Sequence, residues 1–554
     1  MVGRALVIAL AVAAVAVAFV TSRGDGDETP ANRAAGQPPA GSLRVSLYYS
    51  PEKEELLAPL IKRFNASDAR AGGKRIFVEA RNMSSGQVES EIASGRLQPT
   101  MWTPASSFWG RLLEYHADQD LVPDENPSIV RTPLVIAMWK QLADAYGYPR
   151  RELGYEQLAE LAVGGWGVVG KPQFGPFRYV HANPDFSTSG LSAVAASYYA
   201  AASKREGLTL DDIERARPQV KRLERSIVHY GDTTLAIADE MRRGIGYASA
   251  VAMEETTLIA FNRDAGDSAR LVAVYPSEGT FVSDNPLITL QGPWVTREER
   301  AAAAVFAKYV ERAVTPELAG RYGFRPADES AAPTGLVNAA NGVDPEQPTI
   351  VLSLPEPKVL ARIKAAWRAD RKPANVMVVL DNSLSMSEES KLDYAKEGLK
   401  AFLSEAAPQD RIGLTKFSSE VKQLVPIAPM ATNRKPLRRA IDEIFPEGET
   451  ALRDAILDAV RAVDSKLDKN AINAVVVLTD GQNNASDRTV EEVAAELAEQ
   501  RAKEIGQIRV FTIAYGSEPN EVELRRYAQE SGGKDFAAGR QNIEAVYQQI
   551  SSFF

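Results

Sequence analysis

The chain contains no cysteine. Disulfides, thiolate zinc sites and cysteine nucleophiles are therefore excluded, and so is the lipid-modified cysteine that a bacterial lipoprotein signal needs. Histidine is scarce as well. His116, His181 and His229 are the whole supply; they are scattered, and each reads as a surface or locally satisfied residue rather than a catalyst. An excess of positive charge is also missing, because 64 Lys and Arg against 73 Asp and Glu leave a net charge of −9. That balance argues against nucleic acid as a partner, since such proteins gather basic surface to release counterions from phosphates.

What is present is ordinary globular material: 45% hydrophobic and 25% charged residues over 554 positions. That length exceeds what one hydrophobic core usually serves, so two or three domains are expected. At the N-terminus Arg4 precedes an uncharged run, Ala5 to Val20. The run is shorter than the ~20 residues of a usual membrane-spanning helix, although Thr21 and Ser22 can extend it, and Ala16-Val17-Ala18 suits a small-x-small cleavage signal. A signal anchor and a cleaved signal peptide over residues 1–22 both remain open. The first leaves a single N-terminal anchor in the cell membrane with the bulk of the chain outside, and the second a secreted protein. Residues 23–42 are rich in Gly, Pro and small polar residues and read as a flexible tether; the Arg23-Gly24-Asp25 triplet within it is read as chance.

From residue 43 strands and helices alternate. RVSLYYS reads as a strand, PEKEELLAPLIKRFNAS as a helix opened by Pro51 and acids, RIFVEARN as a strand and SSGQVESEIASG as a short helix, while TPLVIAMW and GIGYASAVAM look like buried strands. The alternation predicts an α/β architecture with mostly parallel sheets, residues 43–335 forming one module. A connector with a helix follows over residues 336–372. A second alternating series then runs over 373–554, with NVMVVLD, RIGLTKFS, NAVVVLTD and QIRVFTIAYG as strands between amphipathic helices.

In a doubly wound sheet functional residues gather beyond the carboxyl ends of the strands. Three such places in residues 373–554 carry oxygen-bearing side chains: Asp381, Ser383 and Ser385 after the first strand, Thr450 in PEGETALRDAI before a helix, and Asp480 at the end of NAVVVLTD. Two carboxylates and three hydroxyls on one crevice make an all-oxygen site suited to a small hard cation, magnesium first, with Mn2+ and Ca2+ as alternatives. Taken singly, each piece is more often a turn or an N-cap. The set D-x-S-x-S, then G-x-T before L-x-D-A, then L-T-D-G at a strand end resembles the von Willebrand factor A (VWA) domain with its metal motif. The resemblance implies a Rossmann-like VWA fold. It further implies that Ser383, Ser385 and Thr450 ligate the metal directly or nearly so, that Asp381 and Asp480 act largely through bound water, and that a partner protein's Asp or Glu completes the coordination. Leu384 stands where many relatives have glycine and removes no ligand.

The first module has no ion site of this sharpness, but hydroxyl-rich turns recur in it: Ser84-Ser85-Gly86, WTPASSFWG with Thr103 and Ser106, and NPDFSTSGLSAV with Ser187, Thr188 and Ser189. Each can offer hydroxyls and backbone N–H groups to an anion, or serve only to cap a helix. WTPASSFWG, SPEKEE after a strand, HANPDFSTSGLSAV and ASAVAMEET together resemble the bacterial extracellular solute-binding proteins, two α/β lobes that close around a ligand. The resemblance makes Ser50, Ser84, Ser85, Thr103, Ser106, Ser187, Thr188 and Ser189 candidate cleft residues. Glu254 and Glu255 would lie near the cleft and favour a cationic or polyhydroxyl solute over an anion. No nucleophile–base pairing, Gly-rich phosphate loop or carboxylate dyad stands out, so the expectation is a binding protein and not an enzyme. It is either an adhesion or assembly module or a receptor for an ABC-type transport system.

Overall fold

The computed structural model describes residues 38–265, 270–503 and 506–554. The expected N-terminal signal or anchor, and the tether as far as residue 37, lie outside the described residues.

Three sheets organise the described residues. In the first, the strand Leu43–Tyr49 lies between Lys74–Asn82 and Met101–Thr103, both parallel to it, with Val45 beside Val78 and Tyr49 beside Thr103. The helices Glu54–Ala66 and Arg297–Ala313 cover this sheet, and Leu57, Leu60, Ile61, Phe64, Phe306 and Val310 fill its core. In the second sheet the fully buried strand Thr132–Trp139 pairs antiparallel with Ala250–Glu254, and Tyr179–Ala182 and Ile227–Gly231 continue beyond it. These sheets are the centres of two lobes. The chain crosses between them near Ile129, whose N–H reaches Asn285 O, and near Arg131 and Arg325, which exchange backbone hydrogen bonds.

The segment read as a connector packs more than expected, since Val337, Val343 and Leu352 are buried in the core of the second lobe. The helix Pro357–Asp370 follows. Pro357 sits in its first turn, where its missing N–H is no loss, and the helix stops before Pro373, which disfavours a helical Lys372. Val359, Leu360, Ile363, Ala366 and Trp367 form its buried stripe; each of the large ones contributes roughly 1.5–3 kcal/mol.

The third sheet has the spatial order Val421–Pro429, Arg411–Phe417, Ala374–Asp381, Ile472–Thr479, Ile508–Tyr515, Asp535–Ala538. In chain order this is third, second, first, fourth, fifth, sixth, the doubly wound arrangement whose switch point falls between the first and fourth strands. All neighbours are parallel except the edge strand Val421–Pro429. Ala374–Asp381, Ile472–Thr479 and Ile508–Tyr515 are buried along their whole length, as a sheet with helices on both faces requires.

Several elements differ from the sequence reading. Val421–Pro429 is a strand where none was expected, because an antiparallel edge with one wet face lacks the continuous apolar run of its neighbours. The stretch PLRRAIDEIF reads as a helix opened by Pro436; that helix instead begins at Met430 and carries the proline inside it. Of GIGYASAVAM only the last residues join a strand, Ala250–Glu254.

Candidate functional sites: a metal-type crevice and an interlobe cleft

At the switch point the register sets Leu380 beside Leu478, so Asp381 and Thr479 end neighbouring strands side by side. Asp381 is fully buried and accepts two hydrogen bonds, from Ser383 N–H at 2.7 Å and from Thr479 Oγ1 at 2.5 Å. Ser383 Oγ lies 3.0 Å from Ser385 Oγ, and Ser385 Oγ donates to Asp480 Oδ1 at 2.7 Å. Thr450 is buried, and Asn484 holds its N–H at 2.7 Å. A Cβ built on Gly481 would lie 3.1 Å from Thr450 Oγ1 and 3.7 Å from Ser385 Oγ; the two hydroxyls thus flank one small space, which a side chain at 481 would crowd on the Thr450 side. All five residues singled out in the sequence are brought together. Thr479, Gly481, Asn484 and Lys391 join them; only their place after a strand or at a helix start could have signalled it.

Burial pushes the Asp381 carboxyl up to about 6, against the pull of the Ser383 and Thr479 hydrogen bonds, with the nearby Asp480 charge adding to the rise. Lys391 Nζ lies 2.7 Å from Asp480 Oδ2. Burial acts against that ammonium, yet the bond and charge of Asp480 outweigh it and hold its pKa above the usual lysine value. Among the described residues no group of three or more His, Cys, Asp or Glu is spaced to hold a metal. A cation here would depend on the hydroxyls, and the donor set of two carboxylates and three hydroxyls is of the hard, all-oxygen kind that Mg2+ or Ca2+ takes.

Between the lobes lies a second group. Ser50, Glu52, Ser84 and Ser85 of the first lobe face Ser187, Thr188, Asp232, Thr233, Thr234 and Glu254 of the second. Helical segments begin at Pro51, Ser85, Thr188 and Thr234, so four helical N-termini, the positive ends of their dipoles, border one place. The space left between the lobes is about 20 Å3, room for about one water. Burial and the Glu52 charge push Glu254 up to about 7, and its Oε2 accepts from Thr234 Oγ1 at 3.0 Å.

Not every expected cleft residue is there. Ser189 lies beneath, its Oγ 3.0 Å from both Ser187 Oγ and Thr234 Oγ1. Thr103 is buried in its strand without a partner for Oγ1, and Ser106 Oγ accepts from Phe108 N–H at 3.3 Å. Glu255 was expected near the cleft but is buried at a lobe crossing, where it holds Arg325 at 2.7 and 2.8 Å and the Tyr275 hydroxyl. It immediately follows the strand that ends at Glu254, and one step along the chain turns it to the other side. Lys53, missed in the sequence, is fully buried and binds Asn285 Oδ1 and Pro104 O at 2.8 and 3.0 Å; burial lowers its ammonium to about 8. The histidines have local partners: Glu89 for His116, Glu224 for His181 and Tyr247 for His229.

Two lobes hinged by crossing segments, joined to a doubly wound sheet whose oxygen-rich loops meet at the switch point, define a modular protein of the binding type. The chain belongs to the bacterial extracellular solute-binding protein family, whose model matches residues 45–325, and residues 375–550 match that of the von Willebrand factor type A domain. An uncharacterized protein of Mycobacterium tuberculosis is 24% identical over 540 residues, covering 92% of this chain and 76% of its own length. A solved von Willebrand factor type A protein from Catenulispora acidiphila, 18% identical, covers 32% of this chain and 42% of its own, with a TM-score of 0.29. A periplasmic thiamin-binding protein, 12% identical, covers 61% of this chain and 98% of its own, with a TM-score of 0.44.

Proposed function

We propose that this chain is an exported binding protein whose VWA domain holds a divalent cation, magnesium first, at Asp381, Ser383, Ser385, Thr450 and Asp480, and captures an acidic side chain of a partner protein. The observation that carries the reading is the convergence of these five side chains, from three separate loops, on the switch point of a parallel sheet. A bound cation would supply an open coordination position for the partner's carboxylate. Asp381 orients Ser383 through its N–H, Ser385 links Ser383 to Asp480, and Thr450 lies across from them beside Gly481. Lys391 shares Asp480 with any cation, so binding requires that lysine to yield Oδ2 or swing aside.

The rim supports a protein partner over a small molecule. Leu384 and Phe445 are 61% and 70% exposed, and the two loops that carry them are tied together by Leu384 N–H to Gly448 O at 3.1 Å and Asn382 Nδ2 to Phe445 O at 2.8 Å. Exposed apolar side chains beside a charged anchor are what an interface core uses. The uncharged run Ala5–Val20 would hold the protein at the cell membrane, with both modules outside. Protein captured from an extracytoplasmic extract in Mg2+, lost in EDTA and lost with Asp381→Ala, is the expected result; capture indifferent to both refutes the reading.

The cleft favours a second reading, a solute receptor of an ABC-type transport system, because Ser50, Ser84, Ser85, Ser187, Thr188 and Glu254 face one another there. Its mark is stabilisation by a solute that survives Asp381→Ala, since ligand bound only to the native state adds stability by mass action. Neither reading makes the chain an enzyme.

A further inference from the structure

The helix Pro357–Asp370 touches both lobes and runs directly into the first strand of the VWA sheet. Its Lys364 Nζ stands 5.1 Å from the ring centroid of Trp109, a fully buried side chain of the first lobe. The same indole donates Nε1–H to Thr188 Oγ1 of the second lobe at 2.7 Å. Trp109 is thus held by the second lobe and by the helix together. Beside it, Gly86 N–H of the first lobe donates to Phe186 O of the second at 2.9 Å. A Cβ on Gly86 would sit 2.1 Å from Asp185 O and 2.6 Å from the Trp109 ring, so the lobes meet here at backbone distance.

The helix itself is fastened to the second lobe. Arg368 binds Asp185 at 2.7 and 2.8 Å, Lys364 lies 3.5 Å from the same carboxylate, and Trp367 Nε1 donates to Glu224 at 3.2 Å. Just past its C-terminus Asp410 joins helix and VWA strand, accepting from Arg371 at 2.7 Å and from Ala374 N–H at 2.9 Å. The VWA domain reaches the second lobe as well. Lys534 and Gln549 bind the cleft residue Asp232 at 2.5 and 3.1 Å, and Asn183 donates to Ser552 O at 3.0 Å. Second lobe, helix and VWA domain therefore form one body. The first lobe faces the VWA domain across a cavity of about 540 Å3 lined by Glu89, Ser90, Phe402 and Ser551 among others, and does not close against it there. Trp109 and Gly86 thus join the first lobe to the second, beside the ring contact of Phe108 with Phe281 at 5.0 Å and the surface pair Glu55–Arg263 at 3.9 Å.

We propose that the helix Pro357–Asp370 is a latch on the cleft, holding the first lobe against the second through Lys364 and Trp109, so that solute entry requires the helix to release Trp109. The inference goes beyond either proposed function and makes cleft opening depend on the segment that joins the two modules. Hinge opening supplies the second state that such a device needs.

The absence of cysteine makes the test clean. Spin labels on Lys62→Cys and Arg222→Cys, exposed positions on the two lobes, report the interlobe distance in the full chain by pulsed dipolar spectroscopy. The otherwise unmutated chain should give one narrow distribution. Lys364→Met keeps the side-chain volume and removes the cation; it should raise a longer-distance population by about tenfold, the weight of a buried cation–π contact. Gly86→Ala, which wedges the lobes from the other side, should populate the same longer distance. Comparable open and closed populations in the unmutated chain, or an unchanged distribution in Lys364→Met, would overturn the latch. Neither result bears on metal binding at Asp381, which melting in Mg2+ reads separately.

Discussion

Replacing Asp381 by asparagine should make the metal-free protein more stable and the magnesium-loaded protein relatively less so. The Asp381 carboxyl is lifted from 3.8 to about 6, so the folded state holds its proton more tightly than the unfolded chain does. Below 3.8 both states are protonated and the group is neutral in the balance. Stability then falls as pH rises from 3.8 to 6 and stays reduced above that. At about 1.4 kcal/mol per pH unit the ionised carboxylate costs the fold about 3 kcal/mol at pH 7. Asparagine has nearly the shape of the neutral acid, and its oxygen can still accept from Ser383 N–H while Thr479 Oγ1 turns to accept from the amide. Without divalent metal, Asp381→Asn should gain up to about 3 kcal/mol at pH 7, about 6–12 °C in melting temperature for a domain of this size, and the gain should vanish near pH 4. At one hundred times the dissociation constant Mg2+ adds about 2.7 kcal/mol to a protein that binds it. The unmutated chain should take up this increment and the variant should not, bringing the two curves together. Thermal melts at pH 4 and 7, in EDTA and in graded Mg2+, decide the matter. An equal response of both proteins to Mg2+, or no response of the unmutated chain to Mg2+, Mn2+ or Ca2+, would refute the reasoning.

Other outcomes follow from the same geometry. Burial and Glu52 lift Glu254 to about 7, so the unmutated chain should lose about 3 kcal/mol between pH 4.5 and 7 at that site; Glu254→Gln should flatten the fall in urea titrations over this range, and an unchanged slope counts against it. Trp367 is buried, with its ring 5.2 Å from that of Tyr230, and Trp367→Ala should cost about 3–5 kcal/mol; a loss below about 1 kcal/mol in urea midpoint analysis would show that the helix is not a packed joint. Leu384→Gly with Phe445→Ser should leave the melting response to Mg2+ intact and weaken partner capture by tenfold or more. Capture at undiminished strength would remove the apolar rim from the interface.

Much of the architecture was legible because its signals are local. Val376 to Leu380 and Val475 to Leu478 are unbroken apolar runs, which only a strand buried on both faces can use, and each ends in an aspartate or beside one. That is why Asp381, Ser383, Ser385, Thr450 and Asp480 could be gathered from the chain and then found together. Val421–Pro429 escaped because one of its faces is wet, and Asp535–Ala538 because four residues carry too little pattern. In the cleft, Glu52, Asp232 and Thr234 were missed although Ser50, Ser187 and Glu254 were not. Nothing in GDTT at 231–234 distinguishes a cleft loop from an ordinary capped turn, and Thr233 is indeed such a cap.

Side-chain type, strand pattern and order along the chain belong to the sequence, since each is set within one element by burial on one face or two. The pairing of Asp232 with Lys534, the capture of Trp109 between Thr188 and Lys364, and the withdrawal of Glu255 from the cleft to Arg325 join residues from about 70 to about 300 positions apart. No local propensity encodes such distances. They arise only when three sheets and the helix between them settle against one another, and tertiary packing alone decided them.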